Sequence, residues 1–260
     1  MKRILLITIT LFIAAASVNS ASAEDKPRPL TPGGKYFKGD MDRPRPRVVT
    51  PPGFTTDATA GQAPSDAIVL FDGTSFEHWK TDKWKLEAGY MECAKGGGTM
   101  QTKEEIEGDC QWHIEWRTPH VVVGNSQGRG NSGVFIGGFP EVQVLDSFEN
   151  DTYPDGQAAG LYNQYPPMVN VCRKPGEWQT YDIIIERQKK DAEGKVSAPA
   201  RISVLHNGIV VHFAREINTA ASKGGLSLQD HGNPIRYRNI WVRPINTVDP
   251  DSEGTPPPGK

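Results

Sequence analysis

The chain has 260 residues, a formal net charge of −2, 37% hydrophobic residues, 27 glycines and 21 prolines. A balance this close to neutrality leaves no basic footprint for nucleic acid, and a turn-rich composition with six tryptophans suits a β-protein better than a helical one. Cys93, Cys110 and Cys172 show no CxxC spacing for structural zinc and allow at most one disulfide, so a Cys93–Cys110 bridge and three free thiols both stay open.

In chain order, Lys2 and Arg3 precede a nearly wholly apolar run from Ile4 to Ala16, and Ala21-Ser22-Ala23 is a small-x-small cleavage site. That pattern predicts a secretory signal peptide over 1–23 and a secreted or periplasmic mature chain. The run is shorter than the roughly 20 apolar residues of a membrane span, and no later segment reaches that length. Residues 24–65 are rich in proline, glycine and charge without a persistent apolar period. They predict a linker or arm, laid partly along the domain through Tyr36, Phe37, Val48 and Val49. Residues 66–246 form one domain, and 247–260 a flexible tail ending "GTPPPGK".

Inside the domain, short strand signals recur between Gly, Asp and Pro turns. They are "AIVLF" (67–71), "WKLEAGYMEC" (84–93), "CQWHIEWR" (110–117), "GVFIGG" (133–138) and "EVQVL" (141–145). Further along come "WQTYDIIIERQ" (178–188), "RISVLHNGIVVHF" (201–213), "GGLSLQ" (224–229) and "IRYRNIWVR" (235–243). Asn207-Gly208 is a favoured type I′ hairpin turn. With no long amphipathic helix and no repeat, the assembly is an all-β antiparallel sandwich. In "CQWHIEWR", alternation puts Cys110, Trp112, Ile114 and Trp116 on one face and Gln111, His113, Glu115 and Arg117 on the other. The first face must enter a core. The second is a polar row, and its plain alternative is a solvated outer surface.

Several blocks resemble the 3-keto-disaccharide hydrolase domain family: "IVLFDGTSFEHWK" (68–80), "HIEWRTP" (113–119), "GNSGVFIGG" (130–138) and "EVQVLDSFENDTYPDGQAAGLYNQYPP" (141–167). The match closes with "KPGEWQTYDIII" (174–185), "ARISVLHNGIVV" (200–211) and "LQDHGNPIRYRNIWVRP" (228–244). The resemblance implies a concanavalin A-like jelly-roll β-sandwich with one concave sheet lined by polar residues. Three positions depart from the family pattern: Gly138 where Arg is frequent, Gln179 for Asn, and Pro140 for Tyr.

The implied reaction is cleavage of a glycoside already oxidised to a ketone at sugar carbon 3, which needs a base, an oxyanion partner and an acid for the leaving group. The resemblance and the polar row together nominate Glu115, Glu141 and His231 for catalysis, with Glu115 and Glu141 on facing positions of the concave sheet. His113, Arg117, Gln143, Asp146, Tyr162, Asp230, Arg236 and Arg238 are the substrate-binding candidates, the arginines being suited to an oxyanion. Glu141, Asp146 and His231 also form an oxygen and nitrogen set suited to a divalent metal, although no spacing demonstrates one. Ser132 lacks the nucleophile-elbow context. The expected partner is a small saccharide or 3-keto-glycoside. Two alternatives carry the same fold: a lectin-like glycan-binding module and a conventional sandwich glycoside hydrolase, which needs two carboxylates about a common centre.

Overall fold

A computed structural model describes residues 28–245 apart from 32, 33, 42, 44 and 88. The predicted signal peptide and tail therefore lie outside the described residues. The described residues from Arg47 onward make one compact unit, and those of 28–46 belong to a second, in which a bridge between Leu30 and Phe37 closes a short turn. Residues 47–65, expected as linker, thus belong to the domain's own unit.

Among the described residues, sixteen strands follow in chain order. The first eight are β1 (Ile68–Phe71), β2 (Lys85–Glu87), β3 (Tyr90–Glu92), β4 (Met100–Gln101), β5 (Ile106–Glu107), β6 (Cys110–Arg117), β7 (Ser132–Ile136) and β8 (Val142–Val144). The rest are β9 (Gln179–Glu186), β10 (Lys189–Lys190), β11 (Val196–Ala198), β12 (Ala200–His206), β13 (Ile209–Ile217), β14 (Lys223–Gly224), β15 (Leu226–Leu228) and β16 (Arg236–Pro244). An eight-stranded sheet runs β13-β12-β9-β6-β16-β3-β2, with β1 also paired to β16, and a four-stranded sheet runs β4-β15-β7-β8. The pairings are antiparallel, as the sandwich reading requires. The only helical turns among the described residues are two short 3-10 turns, Ser126–Gly128 and Pro154–Gly156. No helix there is long and apolar enough to cross a membrane.

Alternation builds the core. Trp112, Ile114 and Trp116 of β6, with Tyr181, Ile183 and Ile185 of β9, face Val134 and Ile136 of β7, Val142 and Val144 of β8, and Leu226 and Leu228 of β15. Each buried tryptophan removes about 150–250 Å² from water, roughly 4–6 kcal/mol of gross stabilisation. Two phenols tie the sheets together: Tyr237 donates to Ser132 Oγ at 2.7 Å, and Tyr181 to the Gln143 carbonyl at 2.6 Å. Ser132 donates in turn to the Gln229 carbonyl at 2.6 Å, which makes it a core strut. All three cysteines are free thiols.

Where strand signals ran long, turn chemistry cut them. "WKLEAGYMEC" is the β2–β3 hairpin, reversing at Gly89 with φ +83°. "RISVLHNGIVVHF" is the β12–β13 hairpin, with Asn207 at φ +52° and Gly208 at φ +79°, the left-handed pair that a type I′ turn demands. Gly208→Ala is expected to cost about 1–2 kcal/mol, the usual penalty of a Cβ in that region. It should appear as a lower denaturant midpoint at unchanged slope.

Candidate active site

The polar side chains alternate with the core residues and so leave the sandwich on two opposite sides. Glu115 stands between Ile114 and Trp116 on the eight-stranded sheet, whereas Gln143 stands between Val142 and Val144 on the four-stranded one. Glu115 and Glu141 therefore point away from a shared core in opposite directions, and the expectation that they meet in one cleft is not met.

On the eight-stranded sheet the predicted row exists, with His113 and Arg117 half-buried and Glu115 buried where the segment Thr55–Asp57 meets its partner Arg238. Glu115 has no exposed surface and accepts from Arg238 Nε at 2.6 Å and Asn239 Nδ2 at 2.7 Å, with His113 Nε2 at 3.6 Å. Arg238 donates onward to the carbonyl of Thr56, and the Trp178 N–H donates to Asp57 at 3.3 Å. The arm's grip is thus polar and runs through Thr55 to Asp57, while Val48 is 93% exposed. Arg117 and Arg238 stack on the Trp178 ring, with centroid distances of 4.6 and 4.0 Å. Arg236 covers Tyr90 and pairs with Glu92 at 2.7 Å. His113 contacts Asp182 at 2.9 Å and stacks on Trp241. Burial works to raise the Glu115 carboxyl, but the hydrogen bonds from His113, Asn239, Thr55 and Arg238 outweigh it and hold it at about 2. Burial likewise opposes charge on His113, yet Asp182 and Glu115 carry it up to about 9. His113, Glu115, Arg117, Arg236 and Arg238 form an interlocked ionic layer facing away from Glu141.

The four-stranded sheet presents a different environment. Glu141 extends over Gly133, where a Cβ would lie 2.0 Å from its Oε1 and 3.0 Å from the Phe135 ring. No hydrogen bond or ion pair reaches this carboxyl among the described residues, and burial alone raises it to about 7. Val142 bridges Leu161, and the Tyr162 N–H donates to the Glu141 carbonyl at 3.0 Å. Glu141 and Tyr162 are thereby cross-strand neighbours on one face. The Tyr162 hydroxyl meets that of Tyr153, and their rings stand edge to face with centroids 6.1 Å apart.

Around this centre the polar residues are structural braces. Gln143 is buried, donating to Gln127 Oε1 at 2.9 Å, and Gln127 donates to Thr152 Oγ1 and to the Gly156 carbonyl, each at 2.8 Å. Asp146 accepts from Arg129 Nε at 2.7 Å and from the Phe148 N–H at 3.2 Å. Arg129 also donates to the carbonyls of Phe148 and Glu149, so the acidic stretch after β8 is a loop held by one guanidinium. Asp230 accepts from the N–H groups of Gly232 and Gly98 and from the Cys93 thiol. His231 is exposed in the loop before β16. The expected metal set of Glu141, Asp146 and His231 is not assembled: both Asp146 oxygens are engaged, and the described residues hold no group of three or more His, Cys, Asp or Glu placed for a metal. Tyr162 is a candidate legible in the sequence, whereas Tyr153, Gln127 and the role of Gly133 emerge only from the structure.

Comparison with known proteins now fixes the family. The sequence profile of the 3-keto-alpha-glucoside-1,2-lyase-like domain matches residues 66–243. The chain belongs to this family. A Bacteroides thetaiotaomicron protein named 3-keto-disaccharide hydrolase is 24% identical over 250 residues, covering 71% of this chain and 81% of that protein. A solved Parabacteroides distasonis structure described as a glycosyl hydrolase is 38% identical with a TM-score of 0.72, covering 80% of this chain and 95% of that one. A second structure from the same organism, 19% identical with a TM-score of 0.51, shares the fold.

Two departures from the family pattern have local causes. Gly138 has φ +85°, and a Cβ there would lie 2.3 Å from that of Ala221, so this loop excludes the frequent arginine. Gln179 is buried, exchanging hydrogen bonds with Arg173 at 3.0 and 3.1 Å and accepting from Asn207 at 2.7 Å, which locks the β12–β13 turn.

The two acids should respond oppositely to mutation. Glu115→Ala strands Arg238 and is expected to cost about 3–5 kcal/mol in unfolding measurements, the usual penalty for breaking a buried pair. For Glu141, an ordinary glutamate loses its proton near 4.5, whereas this one keeps it to about 7. Between those values the folded chain binds the proton more tightly than the unfolded chain, so stability falls as pH rises through that window. Glu141→Gln cannot ionise and should melt above the wild type beyond pH 7, with the gap closing by about pH 4; a pH-independent gap would refute the assignment.

Proposed function

We propose that this protein is a carbohydrate-active enzyme that cleaves 3-keto-glycosides by elimination and rehydration, with Glu141 as the proton-transfer group. One observation carries the reading: a carboxyl without ion pair or hydrogen bond, raised to about 7, on an outer face beside two tyrosines. A group that titrates near neutrality can both take and return a proton. The family description and the name of the Bacteroides relative support the substrate class.

The ketone at carbon 3 acidifies the hydrogen on carbon 2. The Glu141 carboxylate takes that proton, and the C2–H electron pair forms a C2=C3 bond as the carbonyl electrons move to oxygen. When they return, a C1=C2 bond forms and the glycosidic oxygen leaves, taking as its own proton the one Glu141 carries. Water then adds across C1=C2, and the net change is hydrolysis. A conventional glycosidase needs a second carboxylate roughly 5–10 Å away. Of the acids nominated from the sequence, Glu115 lies across the sandwich and Asp146 is committed to Arg129, so neither supplies it. A lectin has no need of a desolvated, unpartnered acid that lowers stability at neutral pH.

Incubation with a 3-keto-disaccharide and its unoxidised parent in deuterated water tests this. The wild type should cleave only the ketone and exchange its carbon 2 hydrogen, and Glu141→Gln should lower both by about 100-fold or more. Comparable cleavage of the parent sugar would indicate oxocarbenium chemistry, and binding without turnover would indicate a lectin.

A further inference from the structure

We propose that Tyr162, backed by Tyr153, is the hydrogen-bond donor to the carbonyl oxygen at sugar carbon 3, meeting the enolate as Glu141 withdraws the neighbouring proton. The assignment rests on the reading of Glu141 given above. The arginines expected to hold that oxygen, Arg117, Arg236 and Arg238, lie on the opposite face and are stacked on Trp178 and Tyr90. The donor must come from the Glu141 side.

Three features converge on Tyr162. The Val142–Leu161 bridge and the bond from the Tyr162 N–H to the Glu141 carbonyl set the two side chains directly opposite each other. Such pairs have Cβ atoms about 4.5–5.5 Å apart, a spacing suited to a base and a donor that serve adjacent carbons. Second, the hydroxyls of Tyr153 and Tyr162 share a hydrogen bond, so one O–H is consumed between them and the other remains to point outward. If Tyr153 donates inward, the Tyr162 O–H is the outward one and is polarised by its neighbour. Third, the Tyr153 ring is deliberately seated. A Cβ on Gly156 would lie 2.1 Å from a Tyr153 ring carbon, and Gln127 clamps both Thr152 and the Gly156 carbonyl.

Protonation states fit these roles. Burial and the Tyr162 contact push Tyr153 up to about 12, so it stays protonated at a pH where Glu141 is ionised. In the step itself the C2–H bond breaks, its proton goes to Glu141, and the negative charge arriving on the carbon 3 oxygen is met by the Tyr162 O–H, which keeps its proton. Nothing is oxidised or reduced.

The test compares Tyr162→Phe, Tyr153→Phe and Glu141→Gln in the full chain, following deuterium exchange at carbon 2 of a 3-keto-disaccharide alongside cleavage. Tyr162→Phe is expected to lower exchange and cleavage together by about 100-fold, the scale for losing one oxyanion donor, and Tyr153→Phe to give a smaller parallel loss. Loss of cleavage with exchange intact would make Tyr162 an acid for the leaving group and overturn the assignment. Full activity in Tyr162→Phe beside an inactive Glu141→Gln would overturn it while leaving Glu141 in place. A wild type that neither exchanges nor cleaves would remove the reaction itself. Should Tyr162→Phe fold poorly, a carbon-13 label at the ketone bound to Glu141→Gln gives a second reading. Its resonance should move downfield from that of the free ketone, and an unmoved resonance would count against the donor.

Discussion

Period-two alternation against a single core decides where the polar groups of the central strands can go. Trp112, Ile114 and Trp116 on one sheet and Val142 and Val144 on the other are buried together, so the residues between them are expelled to opposite sides. Shifting either strand by one residue would drive Glu115 or Gln143 into the apolar interior, at a cost far beyond any gain in the site. The sandwich therefore separates two polar populations, and chemistry requiring both has no place to occur.

The separation gives two glutamates opposite characters. Glu115 is the more buried, yet it is the stronger acid, because four donors surround its charged form and one of them, Arg238, is itself fixed by Trp178 and the arm. Glu141 is less buried but unpartnered, so desolvation acts on it without opposition. Depth alone would rank them the wrong way round. The presence of donors to the ionised form decides, as it does wherever neighbouring environments push like groups apart.

Much of this was legible in the sequence. The tryptophan face of "CQWHIEWR", the Asn207-Gly208 turn and the all-β architecture follow from alternation and turn chemistry, which are local. The partnership of the polar row was not legible, because alternation says that His113, Glu115 and Arg117 share a face without saying which surface that face meets. Residues 47–65 read as linker because their composition cannot build a core, yet they need none. Thr56 and Asp57 offer main-chain and side-chain acceptors to Arg238 and Trp178, and those bonds span more than 100 residues of chain. The Tyr153–Tyr162 contact depends likewise on how the long connection between β8 and β9 folds back on itself, which no periodicity encodes.

Gly133 shows how a motif can be informative for a reason other than its most eye-catching residue. In "GNSGV" the serine draws attention as a nucleophile, but Ser132 points inward between Tyr237 and the Gln229 carbonyl. The glycine beside it faces outward with no positive φ to explain it, and space is what it supplies. Any Cβ there would displace the Glu141 carboxyl or the Phe135 ring. An acid laid flat over a bare stretch of backbone, with an aromatic ring at its flank, is shielded from water without being given a partner. That combination is what lifts its pKa toward neutrality, so a missing side chain on β7 tunes an acid that sits beside β8.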